Sequence, residues 1–310
     1  MSHKENEVFN LPPKNSPVVV GIGEILWDIL PEGRRLGGAP ANFVFQAQSL
    51  GAEGYIVSRI GNDKLGEEIS FELNSSGLSS RYISRDPVHP TGTVSVSLDA
   101  KGVPKFTIHE NVAWDFLEIT TDILSLASLA DAACFGSLAQ RSEICRKTIL
   151  NFLEKTKKDC LRVFDINLRQ SFYSEEIIAH LLNHSTILKL NLEEMAILAE
   201  MFSLECNETK ILDSLLRQFS LELIALTMGE KGSRLYAAHG ESYHPGFSVP
   251  VVDTVGAGDA FTAALVMGIL EAKPLRQINE DANRLASFVC TQSGAWVEIN
   301  KKNQIPKEEQ

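Results

Sequence analysis

The sequence predicts an α/β fold: a mostly parallel sheet covered by helices on both faces, with one β excursion. Short apolar, β-branched runs recur at residues 18–22, 55–60, 132–135, 161–164, 186–190 and 223–227. Most are followed by helical patterns, and strands buried beneath two helix layers read as continuous apolar runs rather than alternating ones. One stretch breaks the alternation. Residues 93–98 and 105–108 flank the turn-rich Asp99-Ala-Lys-Gly102 and predict an exposed hairpin. With residues from Asp28 onward it is expected to form a small β lid, drawn from about 28–37 and 88–113. There is no internal repeat or convincing linker, so residues 1–310 are expected to form one domain, with flexible polar termini at 1–16 and 299–310.

Three helices follow from their residues. The first, 40–50, has Pro40 where a helix can start, Phe43, Ala47 and Leu50 on one stripe, and Gly51 where it should stop. A second is expected after Asn279, with Glu280 and Asp281 in its positive first turn. Its apolar positions Ala282, Leu285, Ala286, Val289 and Cys290 keep a helical spacing. The third, 259–270, is apolar nearly all round apart from Thr262 and Gly268, as a helix in the middle of a protein must be.

Composition narrows the function. A net charge of -11 argues against nucleic acid as a partner, because neutralising phosphates needs clustered Lys and Arg. No apolar run approaches the ~20 residues that span a bilayer, and 1–16 lacks a signal peptide's apolar core. The five cysteines are scattered with no CxxC pair, which fits reduced thiols of a soluble cytoplasmic protein. The histidines show no metal-ligand spacing. Gly21-Ile-Gly23 begins like a dinucleotide fingerprint but lacks the third glycine, so a dinucleotide-dependent oxidoreductase is rejected.

The sharpest signal is Asp253-Thr-Val-Gly256-Ala257-Gly258-Asp259-Ala-Phe, at the start of the apolar helix. Two glycines and an alanine let the backbone bend and present successive N–H groups to an anion. Asp259 in the same first turn is a candidate acceptor for a proton. An anion hole beside a carboxylate is what phosphoryl transfer to a hydroxyl requires. Asp165, Asn167 and Arg169 alternate after a strand, which in an extended chain puts all three on one side. Asp28 is placed in the loop after the first strand, at the edge where open α/β sheets bind ligands. Gly37 and Gly38 permit close backbone approach, and Asn42 offers both a donor and an acceptor. Asn191 with Glu194 is a capping box, a sufficient structural explanation by itself. Thr227-Met-Gly229-Glu-Lys-Gly232 is glycine-punctuated but is no Walker loop, and an ordinary hairpin turn also explains it. Trp114 is either a core residue or an aromatic contact at the lid's return.

DTVGAGDAF resembles the C-terminal signature of the PfkB/ribokinase family of carbohydrate kinases, and Gly37-Gly-Ala-Pro-Ala-Asn42 with Leu50-Gly51 is similar to its N-terminal one. The resemblance runs from Val18 to about Val297. The GEILWDILPEG opening, GGAPAN and Asp165-Ile-Asn167-Leu-Arg169 look most like fructokinases. It implies a ribokinase-like three-layer α/β/α domain that uses ATP with Mg²⁺ to phosphorylate a sugar. It implies Gly256, Ala257 and Gly258 as the anion hole and Asp259 as catalytic base. Asp28, Gly38, Asn42, Asn167 and Arg169 would hold the sugar. Asn191, Glu194, Thr227, Gly229, Gly232, Asn283 and Ala286 would serve the nucleotide, with Glu194 organising Mg²⁺ through water. Asp253 and Thr254 would help bind a monovalent cation such as K⁺, and relatives commonly dimerise through their lids. The same resemblance leaves 2-keto-3-deoxygluconate, ribose and nucleosides as other acceptors, and a non-catalytic sugar- or nucleotide-binding regulator as a different class.

Overall fold

The computed structural model describes residues 16–30, 33–98, 104–205 and 207–298. The flexibility expected of 1–16 and 299–310 therefore falls outside the described residues, save for Ser16, as does the hairpin turn at 99–103.

Among the described residues, thirteen strands lie in two sheets. In chain order they are β1 (Val18–Ile22), β2 (Leu26–Leu30), β3 (Gly33–Gly37), β4 (Glu53–Gly61), β5 (Ile83–Asp86), β6 (Gly92–Leu98), β7 (Pro104–Ile108), β8 (Ala132–Phe135), β9 (Leu161–Asp165), β10 (Ile187–Asn191), β11 (Leu223–Thr227), β12 (Ser233–Ala237) and β13 (Gly240–His244). The large sheet runs β13-β12-β11-β10-β9-β8-β1-β4-β5. It is parallel from β11 to β5, and β12 and β13 add an antiparallel edge. All six predicted core runs are strands of this sheet. The small sheet, β3-β2-β6-β7, contains the predicted hairpin as β6 and β7.

Strand order reverses between β1 and β8: the chain builds outward through β4 and β5 on one side, then through β9, β10 and β11 on the other. In open α/β sheets a crevice forms at such a switch point, at the carboxyl ends of the strands. One core lies on each face of the sheet, which makes three layers. The helix Ala257–Leu270 is buried along most of its length and packs between Ala39–Ser49 and Leu275–Cys290. Its apolar circumference is thus explained by position.

Four expectations are corrected. Asp28 sits within β2, paired with Arg35 of β3 and Val94 of β6, and not in a loop. The last helix begins at Leu275, one turn before the expected start. Glu280 and Asp281 pair there with Arg284 and Lys273 and do not serve the helix dipole. The chain after β9 is not extended, because Asn167 turns it at φ 42°. Asp165 consequently stays in the core, bound to Lys189 and Thr262, while Asn167 and Arg169 reach the crevice. Trp114 is fully buried, under the Arg141 guanidinium 4.1 Å from its ring, and so is a core residue. Among the described residues, no helix is long and apolar enough to cross a membrane.

Candidate active site

A cleft of about 1280 Å³ runs along the carboxyl ends of the strands, from the small sheet to the hairpin between β11 and β12. Single-ligand pockets are typically ~300–1,000 Å³, so this one has room for two substrates end to end.

Asp259 lies between the two ends. Gly256 caps its helix in the left-handed region (φ 80°), where a Cβ would come within 2.3 Å of Ala295 Cβ, so glycine is required twice over. The first turn, Ala257 to Asp259, lines the cleft, and N–H groups at a helix start have no intrahelical acceptors. Ala257 N–H turns back to the Thr254 carbonyl at 3.3 Å. Asn42 donates to Asp259 Oδ2 at 2.8 Å and accepts from Trp296 Nε1 at 2.9 Å. Asn42 thus lines the cleft as expected, but its amide aims Asp259 and is anchored by a tryptophan stacked on Phe45. Burial, then the neighbouring Asp165 charge, raises the Asp259 carboxyl to about 6, against the Asn42 bond, Lys189 and Arg169. A carboxylate tuned so is ionised at neutral pH yet basic enough to take a proton.

At one end Asp28, Gly38, Asn167 and Arg169 line the wall with Asn42. Gly38 has φ 112°, and any Cβ there would stand 2.5 Å from the Glu24 carbonyl, which is why the chain can turn from β3 into the next helix. Burial raises the Asp28 carboxyl, opposed by Arg169 and Arg35. Arg169 is exposed, and its charge favours the ionised form of three carboxyls, those of Glu24, Asp28 and Asp259.

At the other end Asn191 and Glu194 form the predicted capping box, each side chain bonded to the other's backbone N–H at 2.8–2.9 Å. Glu194 also accepts from Leu168 N–H, so the same carboxylate that lines the cleft fixes the loop carrying Asn167 and Arg169. Thr227, Gly229 and Gly232 form the predicted hairpin turn from β11 into β12 and line the cleft floor. Asn283 and Ala286 line it from the last helix, although Asn283 gives its donors to Ser233 and Asn279. Thr254 reaches the cleft, whereas the Asp253 carboxylate is held by Arg35 and the N–H groups of Val255 and Gly294.

Two buried, ionisable cleft residues carry no signal in the sequence. Lys189 was hidden inside an apolar run, but its ammonium reaches the end of β10 and pairs with Asp165 at 2.9 Å. It lies 3.0 Å from where a Gly258 Cβ would be, so a buried cation stands beside the start of the Asp259 helix. Burial pushes its pKa down, but Asp165 and Glu194 raise it above the ordinary value, so it stays charged. Glu24 follows β1 in the apparent dinucleotide stretch. It is 2% exposed, and its Oε2 has no hydrogen-bond partner. Burial raises its carboxyl from 4.5 to about 7, with the Asp259 charge adding to the rise. Below pH 4.5 the group is neutral whether folded or unfolded. As pH rises toward 7 the unfolded chain releases this proton first, so folded-state stability is lost across that window, by roughly 3 kcal/mol. Glu24→Gln should therefore melt higher than the wild type at pH 8 and equally at pH 4.5. An identical difference at both pH values would show that Glu24 is not held neutral.

A glycine-capped helix start, a carboxylate aimed by an amide beside it and a polar wall thus share one cleft. Residues 32–302 match the pfkB family carbohydrate kinases, and the chain belongs to that family. It is 32% identical over 297 residues to a Pyrococcus horikoshii protein named as a putative sugar kinase, covering 90% of this chain and 92% of the relative. It is 30% identical to a fructokinase of Solanum tuberosum, covering 94% of this chain and 92% of that one. The crystal structure of an uncharacterized P. horikoshii sugar kinase in complex with ATP superposes with TM-score 0.74 at 28% identity, covering 90% of this chain and 94% of that one.

Proposed function

We propose that this carbohydrate kinase is a fructokinase, transferring the γ-phosphoryl group of MgATP to a hydroxyl of fructose. The observation that carries the chemistry is Asp259, aimed by Asn42 at the mouth of the helix-end anion hole, midway along a cleft with room for two substrates. The fructose assignment rests on the acceptor wall of Asp28, Gly38, Asn167 and Arg169 and on likeness to fructokinases.

In this reading the sugar sits under the small sheet, which acts as a lid. Asp28 accepts two sugar hydroxyls and Arg169 donates to others. The nucleotide lies over the Thr227–Gly232 turn toward Asn283 and Ala286; Mg²⁺ would arrive with it, and Glu194 would be the residue to hold that ion through water. Asp259 takes the proton of the attacking hydroxyl as its oxygen approaches the γ-phosphorus in line. The Gly256–Gly258 amides, with the Lys189 ammonium behind them, balance the charge of the group in flight. A closed lid excludes water and so limits ATP hydrolysis.

The test is an ADP-release assay with MgATP and a panel of fructose, glucose, ribose, 2-keto-3-deoxygluconate, adenosine and inosine, run with and without K⁺. Fructose should give the highest kcat/KM. A clear preference for another acceptor would keep the mechanism and overturn the fructose assignment.

A further inference from the structure

One ion pair joins the small sheet to the phosphate-binding turn. Arg35 of β3 donates from Nη1 to Asp253 Oδ2 at 2.7 Å, bridging positions 218 residues apart. Asp253 opens the DTVGAGD segment. Its Oδ2 also accepts from Gly294 N–H at 3.1 Å and its Oδ1 from Val255 N–H at 3.0 Å, so this carboxylate is fixed within the turn while it holds the lid strand. Burial raises the carboxyl, but the two amides and the guanidinium outweigh it and hold it below its usual range.

Arg35 faces the acceptor end as well. It is the register partner of Asp28 across β2 and β3, and directly opposed residues of an antiparallel pair share a face. The Arg35 charge also works against burial to keep the Asp28 carboxyl ionisable. One guanidinium therefore stands between the carboxylate at the sugar wall and the carboxylate that shapes the anion hole. β3 then runs through Gly37 and Gly38 into the helix that carries Asn42, so a shift of this strand also reaches Asp259.

We propose that Arg35 is a positioning residue that couples the phosphate-binding turn to the β2–β3 edge of the lid, so that nucleotide and sugar each bind more tightly when the other is present. This rests on the kinase reading above. The pair is part-exposed, with side chains 37% and 18% accessible, so it adds little to stability. Its effect belongs in the coupling between ligands, which is reciprocal by thermodynamic necessity.

The experiment measures binding of fructose with and without saturating Mg-AMP-PNP, and of Mg-AMP-PNP with and without fructose. The wild type should show the same gain in both directions, about fivefold or more. In Arg35→Met the gain should fall to about one, with each ligand's separate Kd within about twofold of wild type and Tm unchanged, and Arg35→Lys should recover part of it. A wild-type-sized gain in Arg35→Met, or no gain in the wild type, overturns the proposal. Hydrogen exchange separates this from the choice of sugar. Mg-AMP-PNP alone should slow exchange at both 253–259 and 26–37 in the wild type, but only at 253–259 in Arg35→Met. Equal slowing at 26–37 in both proteins overturns the coupling even if fructose proves the wrong acceptor. No slowing at 253–259 in the wild type overturns the kinase reading and the coupling with it.

Discussion

Asp259→Asn is expected to lower kcat by on the order of 10²–10⁴ while leaving the fold and sugar binding intact. The amide keeps the shape of the carboxylate and can still accept from Asn42 Nδ2, so the site stays assembled. What disappears is the acceptor for the hydroxyl proton. The wild-type pH profile should report the same group. Its carboxyl is raised to about 6, so it is protonated and inert as a base below that value and ionised above it. The acid limb of kcat/KM should therefore fall away as pH drops through about 6, and Asp259→Asn should lack that limb. Near-wild-type turnover in the variant, or an unchanged acid limb, would remove Asp259 from the role of base.

Lys189→Met should destabilise the fold by about 3–5 kcal/mol, the range for stripping one partner from a buried ion pair. Asp165 is 3% exposed and bonded to Lys189 and Thr262; without the ammonium it keeps only the hydroxyl as a side-chain partner. Urea unfolding at pH 7.5 measures the loss. Asp165→Asn in the same chain should recover much of it, because the uncompensated charge is then gone. A loss below about 1 kcal/mol, or no recovery in the double variant, would mean that the pair does not hold this part of the sheet.

The sequence disclosed the parallel sheet because strands buried on both faces are apolar throughout, as at 132–135 and 223–227. It disclosed the glycine-capped helix start because a left-handed cap, a tight turn and a buried helix all demand particular small residues at Gly256 and after it. Local signals carried those features. Lys189 and Glu24 gave none, since one polar residue within or just after an apolar strand looks the same whether it points to solvent, core or cleft. Asp28 was misplaced because a lone carboxylate among apolar residues carries no strand signal of its own, and β2 is made a strand by pairing with β3 just after it and with β6 far along the chain. Asn167 and Asp165 separated because a left-handed residue breaks the alternation that an extended chain would keep. The sequence reading had Asn42 among the site residues, but Trp296, 254 positions away, turns its amide toward Asp259, a relation local pattern cannot reveal.

The most direct test of the central claim is ³¹P NMR of wild-type protein with MgATP and fructose, beside the same mixture with Asp259→Asn. The account predicts that a fructose phosphate ester and ADP appear one for one in the wild type and are nearly absent in the variant. Inorganic phosphate without ester, or ester formed equally by both proteins, would contradict it.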